Sequence, residues 1–444
     1  MLRTIVGLPL LAAIALWPPK PVAAQEKAIV FTGARIIPIV GQPIEHGVLV
    51  VKEGRIVAVG AVGSVKIPAG AEMIDASGKV LMPGFVDSHS HIGDPAGGDG
   101  SAPIQGDVRV LDGINPQNDF IQRAQAGGIT TANVMPGSGH LMSGQTAYLK
   151  LRDTSSISGM LYCHDILKEI CGGMKQANGT NPRGAPPWPG TRAKEAALIR
   201  EEYVKARAYR DKVRAAGSDS TKLPPRDLEM EALVQVLDGK RVVHMHTHRA
   251  DDILTAIRLS QEFGYKLVLH HVSEAWKVIP EIAAAHVPCS IILLDSPGGK
   301  LEAQDINARN AFLLDSAGVL IGFHTDDPIT DSRWFIRSAA FAVRAGMPRD
   351  HALYGMTMAN ARILGLEDRI GSLEAGKDAD FILLSGDPLS VYTHVEQTWV
   401  TGRKVFDRSD PKDRAFAVGG YNSIHAGTMG ALDDERFDAE EGGQ

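Results

Sequence analysis

Pro83-Gly84-Phe85-Val86-Asp87-Ser88-His89-Ser90-His91 is the stretch on which the fold turns. A turn pair opens an apolar run, and the run closes on two imidazoles two residues apart. Alternate side chains of a strand share a face, so His89 and His91 point the same way. If the strand belongs to a barrel, its carboxyl end faces the mouth, where two imidazoles can share one metal ion. A lone His-X-His arises by chance in surface turns. Here it gains weight by closing a strand that otherwise reads as buried.

Outward from this stretch, short apolar runs alternate with helical ones, the pattern of repeated βα units around a parallel sheet. The candidate strands are 85–89, 129–135, 146–151, 170–175, 242–246, 267–271, 289–294 and 319–324. Eight strands predict a (β/α)8 TIM-like barrel over residues 83–366. Helices are expected at 195–216, 251–263 and 307–317. The long stretch from Gly172 to Pro225, with its Pro- and Gly-rich segment, reads as an insertion carrying substrate loops.

Residues 27–82 read as short strands separated by glycines, and a β pattern returns over 367–408. Both flanks are expected to join in one small β-sandwich domain beside the barrel. The tail, 409–444, is rich in glycine and acid and is expected to be loosely ordered. Residues 1–24 read as an export signal: Arg3, an apolar run from Ile5 to Trp17, then Val22-Ala23-Ala24 before a cut at Gln25. The apolar run is shorter than the roughly 20 residues a spanning helix needs. An exported, periplasmic or extracellular protein is expected, off the membrane once the signal is cut.

A formal net charge of −6, with 44% hydrophobic and 22% charged residues, argues against a nucleic-acid binder. Export permits disulfides, but three cysteines make no framework. Cys163 and Cys171 could pair; three buried thiols is the expectation.

Three further segments carry chemistry. Val242-Val243-His244-Met245-His246-Thr247-His248 puts three imidazoles on one face by parity, although a metal can lie level with only one or two. In Leu267-Val268-Leu269-His270-His271 adjacent side chains diverge, so only one is expected to face inward. Ile321-Gly322-Phe323-His324-Thr325-Asp326-Asp327 ends the last strand on a carboxylate. A core histidine bonded to a backbone carbonyl would explain any one of these segments, but not all together. Imidazole with carboxylate suits zinc, iron, manganese or cobalt better than magnesium or calcium.

This set of residues resembles the amidohydrolase superfamily over nearly the whole chain. The likeness is nearest to the imidazolonepropionase-like amidohydrolases through Val80-Leu81-Met82-Pro83-Gly84-Phe85-Val86-Asp87, Gly127-Gly128-Ile129-Thr130-Thr131 and Val134-Met135-Pro136-Gly137-Ser138. It continues in His248-Arg249-Ala250-Asp251-Asp252-Ile253 and in Gly371 to Asp380. The resemblance implies a divalent metal centre of one or two ions per chain, zinc foremost, held by His89, His91, His246, His271 and Asp326. It leaves His244, His248, His270 and His324 as neighbours. Many binuclear members carry a strand-four lysine whose carbamate bridges two metals. Lys175, in Gly172-Gly173-Met174-Lys175, falls near that place, with Lys150 as its competitor.

The expected reaction is hydrolysis of a C–N bond by metal-activated water. Asp326 would take a proton from the water and return it to the leaving nitrogen. His271 would polarise the carbonyl when one metal is bound. A polar pocket is expected from His140, Gln145, Asn178, Arg192, His248 and Arg249, an arginine clamping a substrate carboxylate. Arginines that pair with loop acids are the competing expectation. The substrate class is a dipeptide, an N-acyl amino acid or a cyclic amide. Deamination, or ester (lactone) cleavage, is the alternative outcome on the same site, and a non-catalytic exported metal-binding protein is the third. The only partner expected is the small-molecule substrate, with a homo-oligomer left open.

Overall fold

The computed structural model describes residues 27–93, 99–293 and 301–419. The signal segment, the distal tail and Leu294 lie outside these residues. No helix among the described residues is long and apolar enough to cross a membrane.

Five strands open the chain: β1 (Ile29–Ile36), β2 (Ile44–Lys52), β3 (Arg55–Ala61), β4 (Glu72–Asp75) and β5 (Val80–Pro83). Nine follow in the central part: β6 (Phe85–Ser90), β7 (Ile129–Val134), β8 (Met142–Gln145), β9 (Ala147–Lys150), β10 (Met174–Ala177), β11 (Val243–Thr247), β12 (Leu267–His271), β13 (Cys289–Ile291) and β14 (Ile321–Phe323). Three close the fold: β15 (Phe381–Leu384), β16 (Val395–Val400) and β17 (Arg403–Asp407).

The two flanks of the chain meet in one sheet, ordered β17-β16-β15-β5-β1-β2-β3, with β4 beside β1. This is one continuous hydrogen-bonded sheet that folds back on itself: Ala379 N donates to Gly54 O, between β2 and β3, and Gly402 N, between β16 and β17, donates to Ala379 O, at 2.9 and 2.8 Å. Apolar alternation explains the union. Phe31 of β1 packs edge-on to Phe381 and Trp399, with ring centroids 5.0 and 5.2 Å away, so residues from both ends of the chain share one aromatic core.

The central strands form a six-stranded sheet, β14-β13-β12-β11-β10-β8, and a three-stranded one, β6-β7-β9. From β10 to β14 every neighbour is parallel, and so are β6 and β7. The third candidate strand departs from the repeat. β9 runs antiparallel to β7, and β8 runs antiparallel to β10. These two strands are nearly continuous through Thr146, whose backbone N–H donates to Gly173 O at 3.0 Å while its hydroxyl accepts from Gly173 N at 2.8 Å. Residues 142–150 therefore join the two sheets on one side. On the other side Asn360 Nδ2 donates to Val86 O of β6 and to Phe323 O of β14, at 2.5 and 2.6 Å.

The helix Arg192–Ala216 follows the insertion loop, its N-cap Thr191 accepting from Lys194 N. The start of the tail is ordered, contrary to expectation. Pro411–Val418 is a helix capped by Asp410, with proline in its first turn. Cys163 and Cys171 form a disulfide with Cα atoms 5.2 Å apart, which replaces the expected pair of thiols; Cys289 is buried and free.

Candidate metal centre

β6 delivers His89 and His91 to the carboxyl ends of the central strands. His89 is fully buried, its Nε2 lying 3.2 Å from Asp326 Oδ1 and 3.0 Å from Lys175 Nζ. His91 Nδ1 bonds Met135 O at 2.7 Å, and its Nε2 lies 3.0 Å from the same Asp326 oxygen. Asp326 reaches this place through a left-handed backbone, φ 52°, a conformation a non-glycine residue adopts only when its surroundings enforce it. The enforcing contacts are visible. Asp326 N donates to His89 O at 2.9 Å, and His91 N donates to Asp327 O at 3.2 Å. Thr325 donates through N and Oγ1 to Asp87, at 3.1 and 2.5 Å. Burial pushes the Asp87 carboxyl up to about 7 against these hydrogen bonds.

β11 and β12 deliver the second group. One nitrogen each from His246, His248 and His271 lies within 4.8 Å of the other two. His246 Nδ1 bonds Ser138 Oγ at 3.0 Å, and His248 Nδ1 bonds Ser273 Oγ at 2.8 Å. His271 Nδ1 stands 4.0 Å from Asp326 Oδ2, and its Nε2 is buried without a hydrogen-bond partner. His89, His271 and Asp326 form a further group of the same tightness.

Strand parity fails at the end of β12. His271 and Val272 both adopt positive φ, 68° and 45°. The strand kinks, and both adjacent imidazoles turn inward: the ring centroids of His270 and His271 lie 5.0 and 4.9 Å from that of His89. His270 joins a deeper layer, its Nε2 2.9 Å from His244 Nδ1, while His244 Nε2 meets the Tyr148 hydroxyl at 3.0 Å. His324 stacks on His89 and bonds Ser290 Oγ through Nδ1 at 2.7 Å.

Burial decides the protonation of this cluster. Desolvation, followed by the charges of Lys175 and neighbouring imidazoles, holds His89, His270 and His271 well below the ordinary histidine range. The same burial brings His244 and His324 down to about 3. Desolvation thus favours the neutral imidazole throughout this cluster, the form that can ligate a cation. Burial alone would raise the Asp326 carboxyl; the His91 hydrogen bond and the charges of His91, His324 and Lys175 bring it below its usual value. Asp326 therefore sits as an anion beside the buried His89 and His271.

Lys175 and Lys150, the competing lysines, part company. Lys150 Nζ pairs with Asp378 and, at 2.8 Å, with Asp380, far along the chain in the segment leading to β15. Lys175 stands beside His89.

The expected substrate pocket is only partly assembled. Arg192 is committed to Asp252 at 2.8 Å and Glu302 at 3.1 Å, so the competing expectation holds there. Gln145 accepts from Arg241 at 2.8 Å and donates to Gly106 O at 3.2 Å. Asn178 donates to Asp252 O. His140 lies beside Trp188, ring centroids 5.8 Å apart. Arg249 follows His248 directly and pairs with exposed Asp251 at 3.0 Å. Sequence reasoning missed the groups that anchor the imidazoles, namely Met135, Ser138, Ser273 and Ser290. The first two lie in a segment quoted above for resemblance alone.

Residues 230–406 match the family model described as "Amidohydrolase family". An amidohydrolase from Thermotoga maritima MSB8, of known crystal structure, is 36% identical; the match covers 86% of this chain and 100% of that one, with a TM-score of 0.79. The amidohydrolase tasK of Hapsidospora irregularis is 29% identical over 77% of this chain, and the match spans 38% of tasK. A 5-methylthioadenosine/S-adenosylhomocysteine deaminase of Symbiobacterium thermophilum is 25% identical over 81% of this chain and 85% of its own length. A shorter stretch, 26% of this chain, is 33% identical to 27% of the imidazolonepropionase of Cupriavidus necator.

Proposed function

Because this chain belongs to the amidohydrolase family, we propose that it is a hydrolase of carbon–nitrogen bonds, of the imidazolonepropionase-like kind, that cleaves the amide bond of a small carboxylated substrate: a dipeptide, an N-acyl amino acid or a cyclic amide. The scaffold for this reading is a closed barrel of eight strands, counting residues 142–150 as one antiparallel member. The joins made by Thr146 and Asn360 support that closure.

One observation carries the metal reading. A backbone carbonyl only accepts, so His91 Nδ1 must hold the hydrogen of its bond to Met135 O, and Nε2 is the ring atom left to face the site. It lies 3.0 Å from Asp326 Oδ1, and His89 Nε2 lies 3.2 Å from the same oxygen. Ring nitrogens of His89 and His271 and an oxygen of Asp326 lie within 4.8 Å of one another, a set that can close around one cation. The nitrogen and oxygen donors of His89, His91 and Asp326 suit zinc. His246 and His271 would hold a second ion.

A divalent ion at His89, His91 and Asp326 supplies Lewis acidity, lowering the pKa of water and polarising a carbonyl. Asp326, anionic and within reach of both histidines, takes the proton of the attacking water and delivers it to the departing nitrogen. Where one ion is bound, His271 polarises the substrate carbonyl. Arg249 is the candidate for the substrate carboxylate, since its partner Asp251 is an exposed neighbour and such pairs exchange readily. We place the protein outside the cytoplasm, in the periplasm or beyond the cell. The apolar run of residues 5–17 and the Cys163–Cys171 disulfide support this.

The test is a panel of dipeptides, N-acyl amino acids, cyclic amides, lactones and aminopurines presented to zinc-loaded protein. Release of free amine from the first three classes is expected. Turnover confined to aminopurines, with ammonia released, would replace this reading by deamination, the activity named for the S. thermophilum relative.

A further inference from the structure

We propose that His248 is the third protein ligand of the second cation, so that His246, His248 and His271 hold this ion by themselves, without a lysine carbamate. The inference rests on the metal reading above and deepens it.

Two His-X-His segments stand at the ends of β6 and β11. His89 and His91 have ring centroids 5.1 Å apart at 76°; His246 and His248 have theirs 4.7 Å apart at 79°. The second pair repeats the geometry of the first. It faces His271, whose ring lies 4.4 Å from His246 and 4.9 Å from His248.

Both His-X-His segments share a mode of anchoring. His91, His246 and His248 each engage an outer partner through Nδ1, respectively Met135 O, Ser138 Oγ and Ser273 Oγ. A ligating histidine is fixed in this way, one ring nitrogen tied to an outer group and the other turned to the ion. His248 is 1% exposed, and burial of that degree favours an inner role. Three imidazoles are a complete protein set for a zinc that keeps a position open. Lys175 Nζ lies 3.0 Å from His89 Nε2, at the first pair of imidazoles.

The test uses the purified protein reconstituted with cobalt(II) and equilibrated against graded chelator. Metal per chain is read by elemental analysis, and the ligand field by visible absorption. Wild type is expected to hold two ions. His248→Ala and His248→Asn should keep the first ion, bind the second at least about 10-fold more weakly and lose its absorption band. Ser273→Ala removes only the Nδ1 anchor and should weaken the second ion by about 10-fold; it keeps the test decisive should the His248 variants not fold. Lys175→Met should retain the second ion.

Retention of that ion at wild-type affinity in both His248 variants, with its loss in His246→Ala, overturns the proposal. So does its loss in Lys175→Met alone. One ion per wild-type chain, lost in His91→Ala, also overturns it and leaves the functional reading standing. A wild type that takes up no ion defeats the functional reading itself.

Discussion

Lys175 Nζ lies 3.0 Å from His89 Nε2, with both side chains fully buried. An ammonium in that place repels a cation at His89 and competes for its lone pair. A carbamate on the same nitrogen would reverse the sign of the local charge, and nearby metal ions favour the unprotonated amine that reacts with carbon dioxide. Loading of the first ion should therefore depend on bicarbonate. Metal-free protein reconstituted with zinc in bicarbonate should take up more metal than in carbon-dioxide-free buffer, and Lys175→Met should lose that difference. Equal loading in both buffers would show that Lys175 acts as an amine.

Asp326 is asked to carry both transfers of the proton, and its strained backbone is held by His89 O and the Asp87–Thr325 bonds whatever its side chain. Asp326→Asn is close in size and keeps an oxygen toward His91. The fold should survive, with a Tm near wild type, while kcat falls by about 10²–10⁴-fold, the range for loss of a positioned acid–base group. Near-normal kcat in metal-loaded Asp326→Asn would remove this residue from the proton pathway.

Lys150 is the other buried lysine, and its role is structural. It joins β9 to Asp378 and Asp380, and Asp380 also accepts from Thr401 N at 2.7 Å. Lys150→Met would leave two buried carboxylates short of a cation. Removing one partner of a buried ion pair costs about 3–5 kcal/mol. The expectation is a loss of that order in urea unfolding, with metal content unchanged. A loss below about 1 kcal/mol would mean that Arg55 and Arg369, which also pair with Asp378, suffice.

The sequence revealed what local pattern can encode. His89, His91 and Asp326 close apolar runs, and the structure brings both imidazoles within hydrogen-bond distance of Asp326. The inward turn of His270 was hidden because parity holds only for regular strands, and the positive φ at His271 and Val272 has no signature in side-chain alternation. Strand direction was hidden for a related reason: Tyr148 and Leu149 read alike whichever way their neighbour runs. β8 escaped notice because Met142-Ser143-Gly144-Gln145 lacks apolar alternation. Arg192 looked available because its partners, Asp252 and Glu302, are 60 and 110 residues away in the chain. Spacing along a chain cannot say which distant acid will meet a cation.

Glu195, in the first turn of the helix that follows the insertion loop, gives the molecule a pH dependence separate from catalysis. It is buried, accepts from Gly179 N at 3.0 Å, and approaches Arg183 at 3.8 Å. Burial pushes its carboxyl from 4.5 up to about 7, with Asp252 adding to the rise and the Gly179 bond and the two arginines opposing it. Below about 4.5 the group is protonated in both folded and unfolded chains. Between 4.5 and about 7 only the folded protein retains the proton, so this group's contribution to stability declines as pH rises through that window. Above about 7 both states are ionised and the whole penalty is present. Glu195→Gln cannot ionise but still accepts from Gly179. Its Tm relative to wild type should therefore climb as pH is raised from 4.5 to 7 and stay level beyond. A Tm difference that does not change with pH would show that Glu195 is already ionised in the folded protein throughout this range, its charge satisfied by Arg192 and Arg183.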